Sequence, residues 1–480
     1  VQLEKSAEKT RAGARNELWF TSVPLPKTVE ELLRRGELSR AESEILKLLS
    51  TSTGAEKVRL EFELDRIARW RYEFPYTLDK GFEELRRLIP DLERGEMAAL
   101  LERGCLDHAV IDGEVRLLRR FVPNALWLCP ELKGRRRRGR DELSRIARLA
   151  LKDRAQRVLE AAKQVGGGYV LPLRYRVRAA VSVKPGAVPE GETARVWIPL
   201  PRVSGLHPEV RVLQTEPQPK RVAPEDHPQR TVYFEVEAGR EGARCEIEYE
   251  FVARGFHFEV DPREARVDEG SEVYELYTAE RPPHIAFTPY LRELAQRIVG
   301  GERNPYLKAR RIWDWITGSV RYTYARDYAL YNCISEYVAK EKRGDCGMQA
   351  ILFITLCRIA GVPARWESGW YMNPVGCGMH DWAQFYVEPY GWLYADPSFG
   401  GRRHGEEWRT EFYFGSTEGY RLAANIEISA PFDPPKRHFR SDPVDSQRGE
   451  VEWSGGNLYY DKWDFELKLL EVESVEEAEE

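Results

Sequence analysis

The 480-residue sequence has no run approaching the roughly 18 apolar residues of a membrane-crossing helix. Its first residues, Val1 to Arg15, are polar and charged rather than signal-like. No membrane span is expected. The first residue is Val rather than Met, so the compartment stays open between cytoplasm and export with a signal already removed. An excess of one charge is missing too: 73 Lys and Arg stand against 78 Asp and Glu, a formal net charge of -5 that gives no overall pull toward nucleic acid or anionic lipid. Cysteine is sparse, seven residues without the dense spacing of a disulfide scaffold, which predicts a mainly reduced chain. Methionine, at four residues, is rare as in heat-stable proteins. No calcium-loop spacing of acidic residues occurs, and Cys377 near His380 lacks the second close pair that zinc would need, so no metal or cofactor is expected.

What is present is ample core material: 42% hydrophobic and 31% charged residues over a length that predicts about three domains. From Thr28 to Lys163 apolar residues recur at helical spacing, which assigns residues 1–165 to an α-helical domain. Within it, the basic stretch Lys133 to Arg140 reads as a solvated loop, and Trp70, Tyr72, Phe74 and Tyr76 as helix-packing aromatics. After Gly166-Gly167-Gly168 the period falls to two, beginning with Tyr175, Val177, Ala179, Val181 and Val183, and residues 169–262 are predicted as a β-sandwich. Helix and strand signals alternate through 270–430, and 431–480 reads as a C-terminal β extension whose acidic end, Glu471 to Glu480, is expected to be disordered.

The chemistry lies in the third region. In Gly344-Asp345-Cys346-Gly347, Asp345 is placed to cap a helix ending near Gly361 and Pro363, so Cys346 stands at a helix start. Free N–H groups there favour a thiolate and predict a lowered cysteine pKa; they also suit an oxyanion. His380 begins an alternating strand to Val387, and the turn at Glu388 to Gly391 returns the chain as Trp392 to Asp396. A hairpin centred on 389 and 390 sets His380 roughly opposite Phe399, and a register shift would bring Asp396 to the imidazole. Asp381 is expected on the opposite strand face, clear of Asp396.

The segments Arg343 to Gly347, Gly361 to Arg365, His380 to Ala383, Tyr390 to Trp392 and Asp396-Pro397 together resemble the core of the transglutaminase-like superfamily, over about Pro305 to Phe399. The resemblance implies a papain-like arrangement in an α+β multidomain chain, a cysteine on a helix facing a His-Asp pair on an antiparallel sheet. It gives Cys346, His380 and Asp396 the roles of nucleophile, base and orienting group. It also implies acyl transfer through a thioester on a protein or peptide substrate, with hydrolysis favoured and crosslinking, or an inactive binding scaffold, as alternatives. A second oxyanion donor is sought near Tyr331-Asn332, and Trp366, Trp370, Trp382 and Trp392 as candidate groove residues, with packing the competing role.

Overall fold

The computed structural model describes residues 16–136 and 142–475. The chain opens in helices α1 (Lys27–Arg34), α2 (Leu38–Leu49), α3 (Gly54–Glu73), α4 (Leu78–Leu88) and α5 (Glu96–Glu102). Val29, Leu38, Ala41, Ile45, Leu60 and Ile67 form one buried cluster, the product of the helical spacing. A hairpin, β1 (His108–Ile111) and β2 (Glu114–Leu117), then interrupts a region expected to be wholly helical. Its turn is Asp112-Gly113, both at positive φ, a two-residue hairpin signal inside a helical pattern. Three helices follow: α6 (Phe121–Leu128), α7 (Pro130–Arg135) and α8 (Glu142–Gln164). Cys105 and Cys129 are disulfide-bonded, against the expectation of reduced thiols, while the other five cysteines are free. Of the basic stretch, Arg135 binds Asp91 and Glu96, and 137–140 fall outside the described residues.

The next strands are β3 (Gly168–Val183), β4 (Thr193–Pro199), β5 (Val210–Glu216), β6 (Arg221–Val222), β7 (Thr231–Glu237) and β8 (Ala243–His257). They build two antiparallel sheets whose facing residues, among them Tyr175, Val177, Val196, Ile198, Phe234 and Ile247, share one core. Neither sheet is complete without the end of the chain. Strands β16 (Glu450–Trp453) and β17 (Gly456–Leu458) extend from β4, and β18 (Trp463–Ser474) runs along β3 from Val183 to Leu173. Within the segment 431–480, read as a separate extension, residues 450–474 therefore close the sandwich. The expectation of disorder fails from Glu471 to Ser474, because Phe465, Leu467 and Leu469 alternate with polar residues and start a strand that continues through the acidic stretch; 476–480 are not among the described residues.

The third region holds α9 (Glu272–Tyr277), α10 (Pro289–Val299), α11 (Pro305–Ser319), α12 (Ile334–Glu341), α13 (Cys346–Ile359) and α14 (Glu407–Phe412). Thr288, Asn304 and Asp345 cap α10, α11 and α13 by accepting backbone N–H groups. A short parallel pair, β9 (Arg321–Tyr322) with β10 (Arg343–Gly344), leads into α13. All residues of α13 from Cys346 to Arg358 are buried, so this helix has no solvent face. It packs on an antiparallel sheet in the order β14 (Phe414–Gly415), β13 (Gly391–Ala395), β12 (Gly376–Val387), β11 (Ala364–Asn373), β15 (Arg421–Ile426).

The three parts are tied by buried hydrogen bonds. His207 of the sandwich accepts from the Ala423 N–H of β15 at 2.9 Å. Arg69 of α3 pairs with Asp327 at 3.0 Å and donates to the carbonyls of Arg440 and Ser441. No helix among the described residues is long and apolar enough to cross a membrane.

Candidate active site

Cys346 opens α13 because Asp345, in extended conformation, turns its carboxylate back onto the Met348 N–H at 3.0 Å. Tyr328 donates to the same Asp345 oxygen at 2.6 Å. Gly347 has to be glycine: a Cβ there would lie 2.7 Å from Asp381 Oδ2 and 2.8 Å from the Trp366 ring. The sulfur lines a cleft of about 910 Å³. Its walls come from all three parts of the chain: Tyr72, Tyr76 and Arg119 of the helical domain, Tyr322 and Tyr328 of the core, and Asp442, Gln447 and Tyr459 near the C-terminus. Tyr72 and Tyr76, expected only to pack helices, are thus cleft residues.

His380 and Asp396 meet through a register choice. The hairpin pairs Ala383 with Ala395, which continues to set Asp396 opposite Trp382. Asp396 then shares a strand face with His380, two residues from Trp382; the register centred half a residue later would have put it on the other face. His380 Nε2 lies 2.6 Å from Asp396 Oδ2, and the same oxygen accepts from Arg421 at 2.8 Å. Asp396 Oδ1 takes the Phe399 N–H at 2.9 Å. Burial alone would raise this carboxyl, but the His380 and Arg421 charges outweigh it and hold Asp396 far below the usual carboxylate range. Phe399 stacks on the imidazole at 4.1 Å between ring centroids.

Cys346 does not join this pair by a hydrogen bond among the described residues. Its thiol donates to Asp381 Oδ2 at 3.3 Å. Consecutive strand residues leave opposite faces, so β12 sends His380 to Asp396 and Asp381 to the sulfur. Asp381 is on the face predicted for it, clear of Asp396, yet that face is the one holding the nucleophile candidate. Against the expected lowering of the thiol pKa, burial first, then the charges of Asp381 and Asp345, push Cys346 well above an ordinary cysteine. Burial, followed by the neighbouring Asp445 and Asp345 charges, raises the Asp381 carboxyl as well.

Residues 292–397 match the model of the Transglutaminase-like superfamily. This stretch is a transglutaminase-like core. An uncharacterized protein of Haemophilus influenzae is 27% identical over 141 residues, which is 24% of this chain and 37% of that relative's length. Among solved structures, a Cytophaga hutchinsonii protein described as a candidate cysteine protease aligns with TM-score 0.41 at 16% identity, covering 65% of this chain and 93% of its own. The periplasmic domain of TgpA from Pseudomonas aeruginosa aligns with TM-score 0.25 at 16% identity over 55% and 96%.

Around this transglutaminase-like core several sequence expectations change. Tyr331 and Asn332 border a separate cavity of about 820 Å³ and do not line the Cys346 cleft. None of the four candidate groove tryptophans lines the Cys346 cleft; Trp366 and Trp382 are buried core, with Trp382 donating to Glu367 at 2.6 Å. Cys377 is exposed and donates to the Asn373 carbonyl at 3.7 Å. The described groups spaced to hold a metal are Cys105, Cys129 and Glu131, and there the disulfide occupies both sulfurs. Residues the sequence did not single out are Arg421, Tyr328 and Gln447, each brought to the site from a distant or irregular segment.

Proposed function

We propose that the transglutaminase-like core is a thiol acyl-transfer enzyme acting on a peptide or glutamine-type amide of a protein or peptide substrate. The observation that carries the reading is the buried 2.6 Å pair of His380 and Asp396, with His380 next in β12 to Asp381, whose carboxylate meets the sulfur of Cys346 in a cleft that Cys346 and Asp381 line and His380 does not. Cys346 is the nucleophile and His380 the base. With Nε2 fixed by Asp396, Nδ1 of His380 is the nitrogen left to take the thiol proton; at rest the imidazole stands on the face of β12 opposite the sulfur, so the transfer requires the sulfur to leave Asp381 and move to the imidazole. The sulfur then attacks the carbonyl carbon, His380 protonates the departing amine, and a thioester remains. N–H groups of the first turn of α13 suit the developing oxyanion. Hydrolysis is the favoured outcome, because water needs no acceptor site of its own; a bound amine would instead give crosslinking.

The experiment is to trap the acyl-enzyme with a library of peptides and glutamine donors, with and without an amine acceptor. A thioester located on Cys346 and absent from Cys346→Ala supports the reading. Equal turnover in Cys346→Ala rejects it. A binding scaffold with an idle thiol is the second reading, favoured by one observation: the Cys346 thiol is held by Asp381 rather than by His380. It predicts no thioester with any member of the library.

A further inference from the structure

The side chain nearest in role to the sulfur is a carboxylate, and it is itself held. Asp381 Oδ2 accepts from the Cys346 thiol at 3.3 Å, and Asp381 Oδ1 accepts from Gln447 Nε2 at 2.6 Å. Gln447 Nε2 also lies 3.2 Å from the carbonyls of Gly369 and His380, so the amide bridges β11 and β12 beside the site. Gly347 leaves the room that lets α13 and β12 approach here. Both Cys346 and Asp381 are less than a tenth exposed.

We infer that Asp381 restrains the nucleophile of this site, holding the proton of Cys346 and keeping the resting sulfur a neutral thiol, with Gln447 as its positioning residue. This rests on the reading of Cys346 as nucleophile. Activation moves the sulfur off Asp381 and round to the imidazole of His380, which at rest stands on the opposite face of β12, and passes its proton there, forming thiolate and imidazolium; no oxidant, metal or further reactant is needed. Substrate entering the cleft is the event that releases the sulfur, since Cys346 and Asp381 both line it.

The acidic groups around the pair act in the same sense. Asp345 faces it from the start of α13, Tyr328 from the loop before α12, Tyr322 from β9, and Asp442 and Asp445 from the segment before β16. The field of Arg403 reaches Cys346 in the opposite sense, and Arg119, Arg120, Arg326 and Arg448 line the same cleft. The charges of Asp381 and Asp345 act on the sulfur most strongly, so the surroundings favour its protonated form.

The test is the pH dependence of alkylation at Cys346, read by peptide mass spectrometry in the full chain, for the wild type and Asp381→Asn. Gln447 fixes the asparagine so that its oxygen meets Nε2 and its NH2 group faces the sulfur. The variant thus replaces an acceptor at the sulfur by a donor, and alkylation at pH 7 should rise by about tenfold or more with a lower midpoint. An unchanged or raised midpoint overturns the inference. Should Asp381→Asn fail to fold, the infrared S–H band of the wild type decides. Identified by its loss in Cys346→Ala, it should be shifted as for a thiol donating to a carboxylate; the frequency of a free thiol overturns the inference. The two readings fail separately: an enzyme with turnover but no Asp381 effect defeats only this inference. A strong Asp381 effect in a chain that never forms a thioester defeats only the acyl-transfer reading.

Discussion

Asp396→Asn separates the catalytic from the structural share of the His380 pair. The wild-type carboxylate accepts three hydrogen bonds, from His380 at 2.6 Å, Arg421 at 2.8 Å and the Phe399 N–H at 2.9 Å. Asparagine retains the last through its oxygen, but its NH2 group then faces two donors. Removing one partner of a buried ion pair costs about 3–5 kcal/mol, and the lower end applies here because Arg421 keeps Glu418 on both carboxylate oxygens. A loss of about 3 kcal/mol lowers the melting temperature by roughly 6–12 °C in a unit of 150–250 residues. The imidazole also loses the acceptor that fixes its tautomer, for which a fall in kcat/KM of about 10⁴-fold is expected. The pH dependence is equally specific. A carboxyl held below its unfolded value gives stability that is present above about pH 4 and lost as the pH falls through the folded value. That acid-side loss should be smaller in Asp396→Asn. The assay pairs calorimetric melting from pH 3 to 7 with kcat/KM on the substrate found by trapping. Activity within tenfold of wild type would show that the imidazole does not need this carboxylate and would refute the assigned role.

Other outcomes follow from buried groups elsewhere. Burial, then the charge of Asp442, pushes the Asp445 carboxyl up to about 8, so its stabilising contribution is present below about pH 4 and lost as the pH rises toward 8. Asp445→Asn should therefore melt higher than wild type at pH 8 and nearly the same at pH 4; a larger gain at pH 4 contradicts the assignment. Arg69→Met leaves Asp327 buried without its 3.0 Å partner and frees two carbonyls near the C-terminus, with an expected cost of about 3–5 kcal/mol in denaturant unfolding. No change in midpoint would show that the helical domain is not docked through Arg69. Reducing Cys105–Cys129, which span 24 residues, should destabilise the helical domain by about 3 kcal/mol, read as earlier amide exchange in β1, β2 and α6. Unaltered exchange in dithiothreitol would argue against the bridge.

Much of this arrangement was legible residue by residue. Asp345 as a cap, Cys346 at a helix start and Gly361 past the helix end all follow from local chemistry, while the strand expected to begin at His380 begins already at Gly376. The meeting of His380 with Asp396 was legible only as a possibility, because it depends on a hairpin register that turn residues did not fix. Asp381 beside Cys346 was not legible: alternation placed it on the other face, but which face α13 would cover is decided by packing. The hairpin at 108–117 was missed although Asp112-Gly113 signals it, since the helical period on either side masked four-residue strands. The return of β18 to β3 pairs Trp463 with Val183 across nearly 300 positions, and no local pattern encodes such a partner.

The long-range closures bear on the chemistry because they bring Gln447 to the sulfur's carboxylate. Gln447 lies just before β16, whose register on β4 is set by Glu450 opposite Trp197 and Val451 opposite Val196. Gln447 stands three positions before that first ladder pair, so the sandwich fixes it from one side, while Trp370 and Asn425 of the transglutaminase-like core hold Gln447 and Ser446 from the other. A sheet formed with the chain's end thus helps to hold the amide that orients Asp381, and Asp381 holds the thiol. Loosening β16 should then be felt at Cys346 without any change in the core itself. Val451→Ala removes two methyl groups from a fully buried site, at a cost of about 1–3 kcal/mol in the sandwich. If the coupling is real, it also raises the rate of Cys346 alkylation at neutral pH while His380, Asp396 and the cleft-facing tyrosines keep their identities. Equal alkylation rates in Val451→Ala and wild type, with the expected loss of stability, would mean that the core positions Asp381 alone.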